Sequence, residues 1–184
     1  MTRRWAKTLL LLMLLCGMMA LSMACAGAEG DMVFDATADL APMSQGAKQD
    51  GDTDEVKGFT IHYSAKTKID GSNKEFDDGY TATQRLNFGG KTQPGKGMIN
   101  SVRFTAEGPA TVRIWWVSGG EGRQFALYNA EGVVLEKTSV NSAKNALYIT
   151  DFQLAEGGTY YLGVPDGSNY LFKLEVREEV SAPA

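Results

Sequence analysis

The sequence predicts an all-β fold, an antiparallel β-sandwich of jelly-roll-like type with about nine short strands. Apolar and polar residues alternate with a period of two over short stretches from about Val56 onward, whereas no window of helical length keeps a period of 3.6. Glycine, asparagine and aspartate recur between these stretches and divide them at intervals of about 8–12 residues, which is typical of sandwiches and barrels.

Turn residues separate nine predicted strands, which are 57–64, 80–88, 98–106, 110–118, 123–129, 132–137, 145–151, 158–164 and 169–177. Among the separators, the run from Asp70 to Asn73 is interpreted as a turn, because glycine and asparagine tolerate positive φ and aspartate closes Asx-turns. Gly90 to Gly97 nearly matches a phosphate-binding loop. Its last position lacks Ser or Thr and a strand pattern follows, so we interpret it as a glycine-rich connection between strands.

Period-2 alternation also assigns the two faces of each strand. In 110–118, Val112, Ile114 and Trp116 share the inward face, which sends Arg113 and Trp115 outward. The same rule predicts these further inward residues: Leu86, Phe88, Val102, Phe104, Phe125, Leu127, Tyr170, Phe172, Leu174 and Val176.

Six outward side chains form the candidate carbohydrate-binding surface, namely Arg85, Arg103, Arg113, Trp115, Gln124 and Tyr128. Were the strands that carry the three arginines neighbours in one sheet, they would present an aromatic ring beside several guanidinium groups. A sugar ring stacks its C–H face on an indole, and arginine binds a carboxylate through two parallel hydrogen bonds. The alternative is an ordinary solvated surface, on which the tryptophan covers a neighbouring loop.

Residues 1–28 have the layout of a secretory signal peptide, with a basic start, an apolar run from Leu9 to Leu15 and small residues before a cleavage site after Ala28. The apolar run is shorter than the roughly 20 residues of a spanning helix, so we expect no membrane span. Lipidation at Cys25 stays an alternative, although Ser22 departs from the usual motif.

The remainder of the chain divides into a polar N-terminal extension (29–55), a sandwich domain (56–178) and a disordered tail (179–184). A short strand near Val33 is expected within the extension, in which Phe34 and Leu40 would dock on the domain.

Cleavage after Ala28 changes the charge and cysteine content of the chain. The whole sequence has 184 residues and a formal charge of −4, whereas the mature chain has 156 residues and a charge of −7, because three of the 18 basic residues and none of the 22 acidic ones precede the cleavage site. Both cysteines are removed as well, which excludes cysteine nucleophiles and cysteine metal clusters. An acidic chain does not have the basic footprint of a nucleic-acid binder.

Catalytic and metal motifs are sparse. The single histidine, His62, excludes sites that need two histidines, and no serine lies in a nucleophile elbow. Asp50, Asp52 and Asp54 have the spacing of half a calcium loop, but the glycine and glutamate of an EF-hand are missing. A calcium site built from these aspartates stays an alternative to a solvated acidic loop.

Five segments resemble the β-sandwich accessory modules of bacterial pectate lyases and related plant cell-wall enzymes: 76–88, 102–105, 110–116, 122–129 and 154–162. The last of them is also similar to bacterial pre-peptidase C-terminal domains. The resemblance extends over about 56–177 and implies a carbohydrate-binding or accessory role without catalysis. We therefore expect a secreted, non-catalytic module for a polysaccharide or oligosaccharide such as pectin, with partner proteins in a secreted enzyme system. The alternative is a structural or protein-interaction sandwich at the cell surface that binds no glycan.

Overall fold

The structure is a computed structural model and describes residues 31–43 and 47–179. The predicted signal peptide and all of the predicted tail except Glu179 lie outside the described residues. Within the described part, no helix is long and apolar enough to cross a membrane.

The described residues form twelve strands rather than about nine. They are β1 (Met32–Asp35), β2 (Thr53–Val56), β3 (Phe59–His62), β4 (Lys68–Glu75), β5 (Thr81–Phe88), β6 (Ser101–Ala106), β7 (Ala110–Ser118), β8 (Ala126–Asn129), β9 (Val134–Lys137), β10 (Leu147–Leu154), β11 (Gly158–Gly163) and β12 (Asn169–Glu178). A short helix, α1 (Ala36–Asp39), follows β1, and a 3₁₀ turn (Pro94–Lys96) lies in the predicted glycine-rich connection.

All strand pairs are antiparallel, and the strands form two sheets. Sheet A has the order β10-β7-β12-β5-β4, with β1 pairing beside β12. Sheet B has the order β2-β3-β6-β11-β8-β9. From β5 to β8 the chain changes sheet at every connection, which confirms the predicted all-β sandwich.

The main core lies between the inner faces of the two sheets. Sheet A contributes Ile114 and Trp116 and sheet B contributes Val102 and Leu127, all fully or almost fully buried. Phe125, from the segment before β8, packs edge-on against the ring of Trp116. Each large apolar side chain buried in this way contributes about 1.5–3 kcal/mol, so the predicted inward faces of these strands are strongly favoured over a one-residue slip.

Residues 31–43 and 47–55 contribute a strand to each sheet. β1 pairs with β12, and Phe34 and Leu40 are fully buried in the main core, as expected from the sequence. The Asp35 carboxylate caps α1 by accepting the Thr37 backbone N–H at 2.8 Å. β2 pairs with β3, so the segment predicted as a polar extension is built into both sheets.

Two local expectations were wrong. Asp70 to Asn73 form no turn between strands, because they lie inside β4, where a register shift between Gly71 and Lys74 accommodates them as a bulge. The second wrong expectation is that Tyr170 and Phe172 face inward, because a bulge between Leu171 and Lys173 reverses the two faces within β12.

The bulge in β12 explains why the aromatic side chains of that strand do not face the main core. Leu171, Leu174 and Val176 point inward, whereas Phe172 and Tyr170 join a cluster on the outer face of sheet A. One extra residue in a strand moves every preceding side chain to the opposite face, since side chains alternate with a period of two.

Candidate functional site

The three predicted arginines do not share one sheet. Arg85 lies on β5 and Arg113 on β7, both in sheet A, but Arg103 lies on β6 in sheet B, on the opposite side of the sandwich. Strands that follow one another in sequence were expected to be neighbours in one sheet. The chain instead crosses to the other sheet between β5 and β6 and crosses back between β6 and β7. The single surface of three arginines is therefore not formed.

Trp115 points to the outer face, as expected, but only 2% of it is exposed. The turn between β4 and β5 covers it, with Phe76 and Tyr80 packed in the same outer cluster. Its indole N–H donates to Asp78 Oδ2 at 2.8 Å, and the Lys173 ammonium lies 4.4 Å from the ring centroid. No sugar can stack on this ring, so its predicted role as a binding residue is wrong.

Arg113 is held by Asp151, which lies directly opposite it on β10. Its Nε and Nη2 donate to the two carboxylate oxygens, each at 2.6 Å. The hydrogen bonds from Arg113 lower the pKa of Asp151 and outweigh the opposing effect of burial. With both donors engaged, this arginine is not free to hold a ligand carboxylate as predicted.

Gln124 and Tyr128 are buried, although they were predicted to be outward-facing binding residues. Gln124 is 8% exposed and its Nε2 donates to the Thr138 carbonyl. Tyr128 is 3% exposed and packs against Met98, which belongs to the connection between β5 and β6. Tyr128 points away from the main core, as the alternation indicated, but the connection between β5 and β6 covers it, and Gln124 is held by Thr138, which follows β9.

Of the six predicted binding residues, Arg103 alone is well exposed to solvent. Across the outer face of sheet B it lies opposite Tyr161 on one neighbouring strand and Thr60 on the other. Burial and then the positive charge of Arg103 lower the pKa of His62 on the same face. Arg85 is at the other side of the sandwich, so these two arginines cannot share a ligand residue.

A shallow groove of about 410 Å³ opens at the end of the outer face of sheet A. Its floor is a row of three side chains on neighbouring strands: Lys68 on β4 is paired with Asn87 on β5, and Asn87 is paired with Tyr170 on β12. Alternation sends all three outward because Ile69, Leu86 and Leu171 point into the main core. The row therefore follows from strand register.

Loops complete the walls of the groove with Ala65, Lys66, Gly89 and Ser168. Gly89 allows the loop before β4 to close against the end of β5, because a Cβ there would overlap the Lys66 carbonyl oxygen. A Cβ at Gly119 would likewise overlap the Ser168 carbonyl oxygen. That oxygen also accepts a hydrogen bond from Arg123 Nη1 at 3.1 Å.

Arg85 adjoins the groove but is occupied by protein groups. Its Nε and Nη2 donate to the two oxygens of Asp70, the residue opposite it on β4, and its guanidinium lies 3.9 Å from the centroid of the Tyr170 ring. Asp70 Oδ2 also accepts from Asn87 Nδ2 at 3.1 Å. A cation, its carboxylate partner, an amide and an aromatic ring thus form one connected group beside the groove.

Electrostatically, the groove is a basic site on an acidic chain. Lys66 and Lys68 are exposed, and neither forms an ion pair with any residue of 31–43 or 47–179. The carboxylate of Asp70 is turned to Arg85 and Asn87, so the two ammonium groups remain available to an anion. Lysine acts here as a hydrated point charge and places less constraint on geometry than an arginine fork would.

The acidic segment 50–54 uses its carboxylates to organise its own backbone. Asp50 Oδ1 accepts the Ala65 N–H and Asp52 Oδ2 accepts the Gln49 N–H, both at 2.8 Å, while Asp54 Oδ2 pairs with Lys48 Nζ at 2.7 Å. Across the described ranges, no three His, Cys, Asp or Glu side chains are arranged to hold a metal ion. The structure thus gives these aspartates a structural use and does not assemble them into a calcium site.

Sequence analysis missed the four polar and aromatic side chains of the groove. Lys66 and Lys68 adjoin a segment that was interpreted as a turn, and Tyr170 was assigned to the core. The apolar Ile69 between the charged Lys68 and Asp70 was the available signal for the missed strand. No sequence signal located the bulge that turns Tyr170 outward.

No family model and no curated protein matches the chain. Among solved structures, the chain is similar to a protein of the Ruminococcus flavefaciens cellulosome, described in connection with glycan recognition (19% identity, 82% of this chain and 95% of that chain, TM-score 0.45). It is also similar to the K3 cleaved adhesin domain of Lys-gingipain from Porphyromonas gingivalis (15% identity, 55% and 75%, TM-score 0.38). A third is a family 35 carbohydrate-binding module from Paenibacillus barcinonensis (16% identity, 62% and 94%, TM-score 0.38). Likeness at this level assigns no activity to the chain.

Proposed function

We propose that the protein is a secreted, non-catalytic carbohydrate-binding module whose groove takes an acidic plant cell-wall polysaccharide such as pectin. The observation that carries this proposal is the row of Lys68, Asn87 and Tyr170 on three adjacent strands, with Lys66 beside it. Together these residues place cationic groups, an amide and an aromatic ring in one open groove. Those are the groups that a sugar carboxylate, a sugar hydroxyl and a sugar C–H face require.

The charge distribution supports an acidic ligand. With a mature charge of −7, the protein does not attract a polyanion over long range, so recognition depends on local cations. Two ammonium groups without carboxylate partners among the described residues meet that requirement. An open groove also suits a polysaccharide, since a sugar unit within a longer chain can reach its floor.

The groove supports binding rather than hydrolysis. Glycoside hydrolysis needs two carboxyl groups placed on either side of the scissile bond. None of the described residues that line the groove is an acid, and both oxygens of the adjoining Asp70 are occupied by Arg85 and Asn87. This arrangement leaves no acid and base pair facing the groove.

Binding is tested with the mature chain, residues 29–184, by calorimetry against oligogalacturonates and against neutral xylo- and gluco-oligosaccharides of equal length. We expect binding to the oligogalacturonates that is weakened about tenfold by Lys68→Met and by Tyr170→Ala, in line with the loss of one charged or aromatic contact each. Lys144→Met, an exposed lysine elsewhere, is the matched control and should bind as the wild type does. Equal binding of neutral and acidic sugars would contradict the acidic specificity, and no binding to any sugar would contradict carbohydrate binding itself.

Export by the signal peptide is part of this proposal. Expression of the full chain in a secreting bacterial host, followed by mass determination of the exported protein, distinguishes cleavage after Ala28 from lipidation at Cys25. A mature protein that begins at Glu29 supports simple secretion. A protein that begins at a lipidated Cys25 supports the anchored alternative, and an uncleaved protein in the cytoplasm contradicts both.

A protein-interaction role is favoured by one other observation. The last strand of sheet B, β9, is exposed along all four residues, and Val133, Val134 and Leu135 beside or within it are between 39% and 57% exposed. An edge strand with free backbone groups can pair with an extended segment of another protein. This role would be supported if the wild type captures a secreted enzyme and Leu135→Lys does not. Val140→Lys, outside the strand, is the matched control and should capture the enzyme as the wild type does.

A further inference from the structure

Four cationic side chains lie in or beside the groove, and they differ in whether protein groups already occupy them. Lys66 and Lys68 have no carboxylate partner among the described residues. Arg85 has its charge balanced by Asp70 and one face of its guanidinium plane against Tyr170. Arg123 is directed to the Ser168 carbonyl.

Arg85 is connected to the two uncharged side chains in the floor of the groove, directly to Tyr170 and through Asp70 to Asn87. Its guanidinium lies 3.9 Å from the centroid of the Tyr170 ring and thereby limits the rotation of that ring. Through Asp70, which accepts from both Arg85 and Asn87, it also fixes the direction of the Asn87 amide. A lysine at this position could balance Asp70, but it has no plane to stack and no second parallel donor.

We propose that Arg85 is a positioning residue of the groove: together with Asp70 it holds the Tyr170 ring and the Asn87 amide in place, while Lys66 and Lys68 alone meet the ligand carboxylate. This inference rests on the proposed function for its binding part. It corrects the sequence-based expectation that Arg85 itself grips the carboxylate, because the fork that would do so is already turned to Asp70.

The salt dependence of binding separates the two kinds of residue. An ammonium group that meets a ligand carboxylate contributes to the salt dependence of the dissociation constant, since added salt screens exposed charges. The Arg85 and Asp70 pair has no net charge, so removing both members alters the shape of the groove without altering its charge. The double variant Arg85→Met/Asp70→Asn is therefore the central reagent, with Lys68→Met as its matched comparison.

The test measures the dissociation constant for oligogalacturonate at several salt concentrations, together with the NMR signals of the Tyr170 ring in the protein without ligand. We expect the double variant to bind about tenfold more weakly with an unchanged salt slope, and Lys68→Met to bind more weakly with a reduced slope. Arg85→Lys should fail to restore wild-type affinity. In both Arg85 variants the Tyr170 ring signals should shift or broaden before any ligand is added.

Several results would overturn the inference. A reduced salt slope in the double variant would show that Arg85 contacts the ligand carboxylate itself, and full affinity in Arg85→Lys would show that charge alone suffices. Unchanged Tyr170 signals in Arg85→Lys, a variant that keeps the ion pair and hence the best prospect of folding, would show that the ring needs no positioning. If the wild type binds no sugar, the proposed function fails, while the Tyr170 signals still decide whether Arg85 positions the ring.

Discussion

Trp115 donates its indole N–H to the Asp78 carboxylate at 2.8 Å, so that a residue in the turn after β4 closes over a tryptophan in the middle of β7. Burial raises the pKa of Asp78, but the hydrogen bonds from the Tyr80 backbone N–H and the Trp115 indole and the charge of Lys173 outweigh it, so the pKa is lowered overall. The turn after β4 thus covers the part of the outer face of sheet A where the sequence predicts a ligand.

Loss of the Asp78 carboxylate leaves a buried indole N–H without its acceptor. We expect Asp78→Ala to reduce the free energy of unfolding by about 1–3 kcal/mol, measured by urea denaturation. Asp77→Ala changes the adjacent exposed aspartate and should stay within about 0.5 kcal/mol of the wild type. Equal effects of the two substitutions would show that the bond to Trp115 contributes nothing to stability.

The Arg113 and Asp151 pair predicts a contribution to acid stability. Because the pKa of Asp151 is lowered in the folded state, its stabilising effect is present above the unfolded pKa of about 3.9 and is lost as the pH falls through the lower folded value. Both side chains are about a third exposed, so solvent screening limits the effect to at most about 1 kcal/mol.

Denaturation curves of Asp151→Asn and Arg113→Met at a series of acidic pH values test this expectation. Each variant should show a flatter fall of unfolding free energy below about pH 4, and the double variant should match the single ones. Wild-type and variant curves that run parallel over this range would contradict the predicted linkage.

Buried tyrosines predict a loss of stability at high pH. Burial, and then the negative charge of Asp166, raise the pKa of Tyr128 from 10.0 to about 12. The stabilising effect of Tyr128 is fully present below about pH 10 and is lost as the pH rises through the pKa of the folded state, because this tyrosine ionises first in the unfolded chain. Ultraviolet titration of phenolate formation should therefore show Tyr128 ionising late, and Tyr128→Phe should lose less stability between about pH 10 and 12 than the wild type does. If Tyr128→Phe instead loses a phenolate signal that appears early in the titration, the raised pKa of Tyr128 is contradicted.

The close approach at Gly89 predicts sensitivity of the groove to a single methyl group. A side chain at this position overlaps the backbone of Lys66, so Gly89→Ala should destabilise the fold by about 1–3 kcal/mol and weaken sugar binding by moving the wall of the groove. Gly95→Ala is the control, since a Cβ there meets nothing within 4 Å. Thermal unfolding and calorimetric titration of both variants check the prediction, and an unaffected Gly89→Ala would show that the wall can yield.

Local alternation predicted much of the architecture. The inward sets of β6 and β7, such as Val102 and Phe104 or Val112 and Ile114, occupy the main core as expected, because burial of large apolar side chains outweighs any local alternative. The polar strand β4 was missed, since it buries only Ile69 and its remaining side chains follow no apolar pattern. The faces of β12 were wrong in part, because a bulge changes the period of two and leaves no mark in composition.

The sequence by itself determined the fold class and which residues of most strands point to the core, since both depend on the local pattern of side chains. It also determined the acidic charge, which restricts an acidic ligand to local contacts. Only the tertiary structure decided which strands are neighbours. Arg85 and Arg103 look adjacent in the order of strands and lie on opposite sheets, because the chain crosses the sandwich between them. Tertiary packing also decided that an outward-facing Trp115 is buried beneath a turn and that Lys68, Asn87 and Tyr170, distant in sequence, line one groove. The physical reason is that alternation assigns a face within one strand, whereas neighbours and coverings are set by pairing between segments far apart in the chain.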